Sequence, residues 1–377
     1  MACPGSSDRT YLIPMSNELT LQTTRSHVPP LDGLRGIAVL LVLWAHVPDD
    51  MGGGVVHLLH KVIQPGYLGV DIFFVLSGFL ITRILMYGRE HKKPLGYFLI
   101  RRAFRIFPIY YLLIALLVFL APGKYLFWCA TYLSNFVFSF DYVWDAARQM
   151  PIFDSNPMRH TWSLCVEEHF YMVWPLIIYF APRDTLKPIA VAVVISGMLL
   201  ALMASFTAGD LPLYPMLYRG TQFRVMSLAL GGLFALYEPS VKIGTSRPWL
   251  MFVCFFLPAA GLLAFASTME VPWKPSVKMI GFALMSSSIF LAALGTMTLG
   301  KGVSAVLSKG PLAYAGRISY GVYLYHFPIY FVLGVLDEEA NPSAMLTFQG
   351  IGLTFVVATV SFYLLERPIL KYASRYR

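Results

Sequence analysis

Apolar runs long enough to cross a lipid bilayer recur along these 377 residues, near 33–47, 66–87, 104–121, 162–181, 187–206, 219–237, 248–267, 277–299, 315–336 and 344–366. A span needs roughly 17–25 such residues, so the first run is short. Inside hydrocarbon every backbone N–H and C=O must be bonded within its own segment, which leaves helices for runs of this length. The expected fold is all-α, a polytopic transmembrane helix bundle of about ten spans. Composition agrees, because 57% of the residues are hydrophobic and 13% charged, too apolar for the surface of a soluble domain.

Segment 124–140 is an eleventh apolar stretch, broken at Ser134-Asn135, and charge decides whether it crosses. With the N-terminus in the cytoplasm and ten spans, 21 of the 29 Lys and Arg residues fall on the cytoplasmic side, and Asp337-Glu338-Glu339 forms an acidic outer loop. An eleventh crossing would invert every later loop and undo this positive-inside bias. We therefore read 124–140 as a re-entrant or interfacial piece and place both termini in the cytoplasm. The formal charge of +9 follows from cytoplasmic loops and contacts with anionic lipid. No basic, aromatic-interleaved soluble segment exists to bind nucleic acid. Cys3, Cys129, Cys165 and Cys254 form no CxxC pair, which argues against a zinc site or disulfide framework. Residues 1–30 lack the apolar core of a signal peptide and read as a cytoplasmic tail, 31–370 as one membrane domain, and 371–377 as a second short tail.

Within this frame the stretch Leu31–His46, LDGLRGIAVLLVLWAH, carries an arginine near one end and a histidine at the other. Arg35 and His46 are 11 residues apart, about three helical turns, so they share one face roughly 16 Å apart along the axis. A charge and an imidazole on a face otherwise made of Ile, Ala, Val, Leu and Trp are costly unless that face meets protein or water. The plainer explanation is that Arg35 snorkels to the interface and His46 ends a short span.

Other chemistry-bearing residues recur at span ends. The second span, GYLGVDIFFVLSGFL, holds Asp71 and Ser77; its Gly69 and Gly78 permit close helix approach, whereas an intramembrane carboxylate calls for a partner or a cavity. Arg101, Arg102 and Arg105 precede the third span. They anchor it by the positive-inside rule, and arginine forks also match the phosphate oxygens of a charged cytosolic donor. Arg101 and Arg105 fall on one helix face. The fourth span opens HTWSLCVEEHFY, with Glu167 and Glu168 adjacent. First-turn charge compensation accounts for them in part, but neighbours point about 100° apart, and we expect Glu167 inside with Ser163, Tyr171 and Trp174. His326, in ISYGVYLYHFP, either bonds backbone freed by Pro328 or serves as a second intramembrane base. His57 and His60 form a weak metal pair without a third ligand and read as loop residues.

Taken in order, LDGLRGIAVLLVLWAH, GVDIFFVLSGFLIT, RRAFRIFPIYY, TWSLCVEEHFYMVWP, ISYGVYLYHFPI and the terminal LERP resemble acyltransferase family 3, the membrane-integral O-acyltransferases of bacterial envelopes and antibiotic pathways. The resemblance covers about residues 30–370 and implies a multi-pass protein of the inner (plasma) membrane. It also implies transfer of an acyl group, acetyl in the simplest case, from cytosolic acyl-CoA to a hydroxyl of a carbohydrate or of a lipid-linked or glycosylated acceptor. No bound cofactor or metal is expected, acyl-CoA being a co-substrate. Carried over to this sequence, the family pattern places catalysis on His46 with Glu167 and Glu168, and donor binding on Arg35, Arg101, Arg102 and Arg105; Asp32, Asp71, Ser77, Tyr171 and His326 are further candidates. His169 stands where the family commonly has glutamine. With no hydrolase-like domain after the last span, the membrane domain itself is expected to deliver the acyl group. The competing class is a proton-coupled transporter or flippase of an envelope precursor, with Arg35, Asp71, Glu167 and His326 as its path.

Overall fold

The structure, a computed structural model, describes residues 28–46, 65–139, 156–207, 213–237, 247–268, 271, 273–299, 301–336 and 343–376. His57, His60, the first 27 residues and the acidic 337–339 loop lie outside the described residues. Among the described residues the chain is built of helices and turns with no strand. In chain order the helices are α1 (Pro30–Trp44), α2 (Pro65–Glu90), α3 (Leu95–Leu120), α4 (Tyr125–Ala130), α5 (Trp162–Phe180), α6 (Leu186–Thr207), α7 (Leu213–Arg219), α8 (Thr221–Leu236), α9 (Arg247–Thr268), α10 (Lys274–Gly295), α11 (Lys301–Ser308), α12 (Gly310–Arg317), α13 (Ser319–Leu333), α14 (Ala344–Ser361) and α15 (Arg367–Ala373).

Six helical stretches among the described residues are long and apolar enough to cross a membrane: Gly66–Glu90, Leu95–Leu120, Arg183–Thr207, Arg247–Thr268, Lys274–Thr298 and Ala344–Ala373. The remaining expected spans fall on shorter or more polar helices. α1 and α13 have 15 residues each, about 22 Å at helical rise against a hydrocarbon core of about 30 Å. α5 has 19 residues but carries Glu167, Glu168 and His169. Such helices suit the inside of a bundle, where protein and not lipid surrounds them. Segment 124–140 makes no single long helix. α4 ends, Tyr132 turns the backbone at φ 56°, and 134–139 form a second short helical piece.

Burial separates a centre from a rim. The apolar window of Gly66–Glu90 is 67% buried and that of Lys274–Thr298 72%, whereas that of Arg247–Thr268 is 11% buried. α2 and α10 are thus interior helices, while α9 presents Leu250, Phe256, Leu257 and Phe265 outward. Glycine sets the interior crossings. At the α2/α8 crossing a Cβ on Gly78 would overlap the Leu228 carbonyl, and one on Gly231 would overlap the Val75 carbonyl, so the two backbones touch only because neither position has a side chain. The same device brings α1 against α12, where Gly36 faces the Leu312 carbonyl and Gly316 the Asp32 carbonyl. Arg35 and Asp32 are thereby fixed against rigid backbone at the Arg-rich end of the bundle.

Candidate active site

Two cavities meet at Arg35. The larger, about 320 Å³, opens among the start of α1, the C-terminal part of α2 and the start of α3, and its lining includes Asp32, Arg35, Arg83, Lys93, Arg101 and Tyr376. The smaller, about 80 Å³, lies deeper, between α1, α2, α3, α5 and α13; Arg35, Ser77, Arg102, Arg105, Ser163, Glu167, Tyr320 and Tyr323 line it. Arg35 contributes to both walls. The sequence placed Arg101 and Arg105 on one face, yet the structure divides them. Arg101 belongs to the larger cavity, and Arg102 and Arg105, spaced i, i+3, belong to the smaller.

In the smaller cavity Glu167 is held from three sides. Ser77 Oγ donates to its Oε1 at 2.9 Å, Tyr171 Oη donates to its Oε2 at 2.8 Å, and Arg102 Nη2 lies 3.5 Å from Oε2. The Arg102 guanidinium also sits 3.8 Å above the Tyr171 ring, a cation–π contact. The carboxylate is therefore fixed, with its charge offset by Arg102. Glu168 points away, is 9% exposed and lines neither cavity. His169 bonds Thr221 Oγ1 at 2.8 Å and stacks on Phe136, tying α5 to the start of α8.

Beyond the smaller cavity the chain closes on itself. Tyr323 and Ser163 join their hydroxyls at 2.5 Å, and Tyr323 Oη donates to the His160 carbonyl at 2.8 Å. Behind this barrier three imidazoles gather. The His326 ring centre is 5.1 Å from His46 and 4.9 Å from His160, and Phe327 packs against both of those rings at 5.2 Å. His46 follows the end of α1 and lines neither cavity, so the geometric pairing of Arg35 with His46 becomes a succession along the bundle: basic mouth, Arg35, carboxylate, hydroxyl barrier, imidazoles. His326 bonds the Tyr323 carbonyl, not the Leu324 carbonyl that Pro328 leaves unpaired. Leu324 instead faces His160.

Asp71 joins none of this. Its Oδ2 is 3.1 Å from Arg224 Nη2, Ser227 Oγ donates to Oδ1 at 2.6 Å, and both ion-pair side chains have no exposure. Arg224 lies under the rings of Phe74, Trp162 and Tyr218. The pair locks α2 to α8. Sequence reasoning missed Arg224, His160 and Tyr323. The first carried a legible signal, a lone arginine just inside an apolar run. The others sat in motifs whose order was recognised but whose individual residues had no assigned part. Among the described residues no group of His, Cys, Asp and Glu is arranged to hold a metal ion.

A family model described as an acyltransferase domain matches residues 29–366, from the residue before α1 into the LERP segment. The peptidoglycan O-acetyltransferase OatA of Listeria monocytogenes is 29% identical over 386 residues, an alignment covering 93% of this chain and 57% of that protein. The O-acetyltransferase OatA of Staphylococcus aureus is 28% identical over 376 residues, covering 92% of this chain and 57% of its own. The chain thus spans a little over half the length of the curated relatives it matches. No solved structure matches it. With the family model covering the smaller cavity, all of the larger but Val28 and Tyr376, and all three imidazoles, the chain belongs to the acyltransferase domain family, acyltransferase family 3.

Proposed function

We propose that this chain is a multi-pass O-acyltransferase of the plasma membrane that moves an acetyl group from cytosolic acetyl-CoA to a hydroxyl of a cell-wall glycan, with both termini and the Arg-rich end in the cytoplasm. The observation that carries this reading is the sharing of Arg35 by two cavities of different character. The larger has the size and the Arg83, Lys93 and Arg101 cations to take a phosphorylated nucleotide carrier. The smaller accepts little more than a short acyl thioester, since 80 Å³ is below the roughly 150 Å³ that admits a benzene ring. The relatives' names, peptidoglycan O-acetyltransferase and O-acetyltransferase, support acetyl as the group and a cell-wall glycan as the acceptor.

In this reading Arg35 holds the thioester carbonyl region between donor and acceptor sides. Glu167, paired with Arg102 and oriented by Ser77 and Tyr171, holds that arginine toward the donor. His46 takes the acceptor's proton as the hydroxyl oxygen attacks the acyl carbon and the C–S bond breaks. The thiolate departs toward the basic cavity. The hydroxyl barrier at Tyr323 and Ser163 separates the two sides and opens for transfer. The transporter reading has no comparable support, because its proposed path through Asp71 ends in a closed ion pair with Arg224.

Membranes carrying the full chain, given [14C]acetyl-CoA and an N-acetylglucosamine oligomer, should yield an oligomer whose mass rises by one acetyl and whose label is released by mild base. Absence of any acylated glycan across a panel of donors and cell-wall fragments would overturn the reading.

A further inference from the structure

His46 and His326 use their Nδ1 atoms in the same way. Nδ1 of His46 meets the Val42 carbonyl at 2.9 Å, and Nδ1 of His326 meets the Tyr323 carbonyl at 2.5 Å. A carbonyl oxygen only accepts, so both Nδ1 atoms carry hydrogen and both neutral rings keep their lone pair on Nε2. In His326, which has no exposure, that Nε2 makes no hydrogen bond. The two ring centres are 5.1 Å apart at an angle of 55°, close enough for one N–H···N bridge of ordinary length when the nitrogens face each other. Neither neutral ring can supply the bridging hydrogen. The site lacks one proton.

The titratable groups facing His326 are His46 from the end of α1, His160 from the 3₁₀ turn before α5, and Tyr323 and Tyr330 from α13 itself. Arg159 acts on His46 with like charge. Among the described residues no carboxylate acts on any of the three rings, and the Nε2 lone pair of His326 is the acceptor that they offer to a charged His46.

We propose that His326 is the positioning partner of His46: the N–H that forms as His46 Nε2 removes the proton from the acceptor hydroxyl is a three-centre donor, shared between that oxygen and Nε2 of His326, so that one positive charge spreads over two imidazoles. The step balances. The hydroxyl O–H bond breaks as the new O–acyl bond forms, the thiolate leaves with the C–S electron pair, and the proton rests between the two Nε2 atoms until solvent on the acceptor side removes it. This inference rests on the acyltransferase reading above, with His46 as base.

Asparagine and glutamine separate the two nitrogens of His326. An Asn amide reproduces the Nδ1–H that bonds the Tyr323 carbonyl but has nothing at Nε2, so a purely structural histidine is replaced by it without loss. For His326→Asn, assayed as the full chain with acetyl-CoA and an N-acetylglucosamine oligomer, we expect an unchanged donor KM and a kcat lower by about 100-fold. Because a base that shares its proton holds it more tightly, the pH at which kcat reaches half its plateau should be lower in the variant than in the wild type. A variant that keeps its kcat within about threefold and its pH profile unmoved overturns the proposal. If the Asn variant fails to fold, His326→Gln is read in the same way, since an amide has no basic nitrogen, and an unmoved profile there overturns the shared proton. Absence of acetylated product from the wild-type chain would overturn the acyltransferase reading and this inference together, whereas product formation with an unaffected Asn variant overturns only the inference.

Discussion

The Asp71–Arg224 pair offers the sharpest test of how the bundle is held. Both side chains are wholly buried, their charged atoms are 3.1 Å apart, and one Ser227 hydroxyl supplies the accompanying hydrogen bond. At that separation, and with an effective dielectric constant of about 20, the attraction is about 5 kcal/mol. Most of it offsets the cost of taking the two charges out of water, so the pair as a whole adds little net stability. Removing one partner is a different matter. Asp71→Leu leaves the guanidinium beneath Phe74, Trp162 and Tyr218 without a counter-charge, and the expected loss is about 3–5 kcal/mol. Arg224→Met should cost a similar amount by stranding the carboxylate, while the double variant Asp71→Leu/Arg224→Met should recover most of the loss. The measurement is the unfolding free energy of the detergent-solubilised chain for wild type, both singles and the double, closed into a cycle. Single losses below about 1 kcal/mol, or a double loss equal to the sum of the singles, would refute the argument that the pair is a closed electrostatic lock between α2 and α8.

Three further outcomes follow from the site. His46→Gln, which keeps a polar side chain but cannot take a proton, should lower kcat by at least about 100-fold in normally folded protein; turnover near wild type in the acetyl-transfer assay would make His46 structural. Arg35→Lys keeps the charge and loses the planar fork, so it should raise donor KM about tenfold while changing kcat at saturating donor by less than about threefold, a split that initial-rate kinetics resolves. Glu366 is 7% exposed on the π-helical turn Phe362–Glu366 and has Arg105 as its counter-charge. Because Arg105 lines the smaller cavity but is itself partly solvated, Glu366→Gln should raise donor KM only a few-fold, and an unchanged KM would detach Glu366 from the site.

The all-helical architecture was legible because it rests on a local property, the length of apolar runs, and the second, third, fifth, seventh, eighth and tenth runs each correspond to a long apolar helix. Arg35 was legible for a similar reason. An arginine four residues into an apolar stretch announces that something polar faces it. What the sequence concealed was partnership across distance. Asp71 was read as needing a partner, but Arg224 lies near the beginning of a different run, where a charge count assigns it to an outer loop. His160 sits in a 3₁₀ turn with no periodicity to fix its direction, and only the packing of that turn against α13 brings it to His326. The division of Arg101 from Arg102 and Arg105 between two cavities was equally hidden, since helical spacing gives directions around an axis but not the neighbours that wall one direction off from another.

The hydroxyl pair at Tyr323 and Ser163 has a consequence for the energised membrane in which such a protein sits. In the proposed orientation the two cavities lead from the cytoplasm past Arg35 to the hydroxyl pair, and a file of water continuing past that pair across the bundle would short-circuit the proton gradient. Two hydroxyls bonded to each other and to the His160 carbonyl spend their hydrogens on protein and not on such a file, and the guanidinium of Arg35 ahead of them repels hydronium and sodium alike. On the proposed reading an uncharged acyl group passes through the centre while the protein remains an electrical insulator, provided the barrier opens only when the donor fills the cavities.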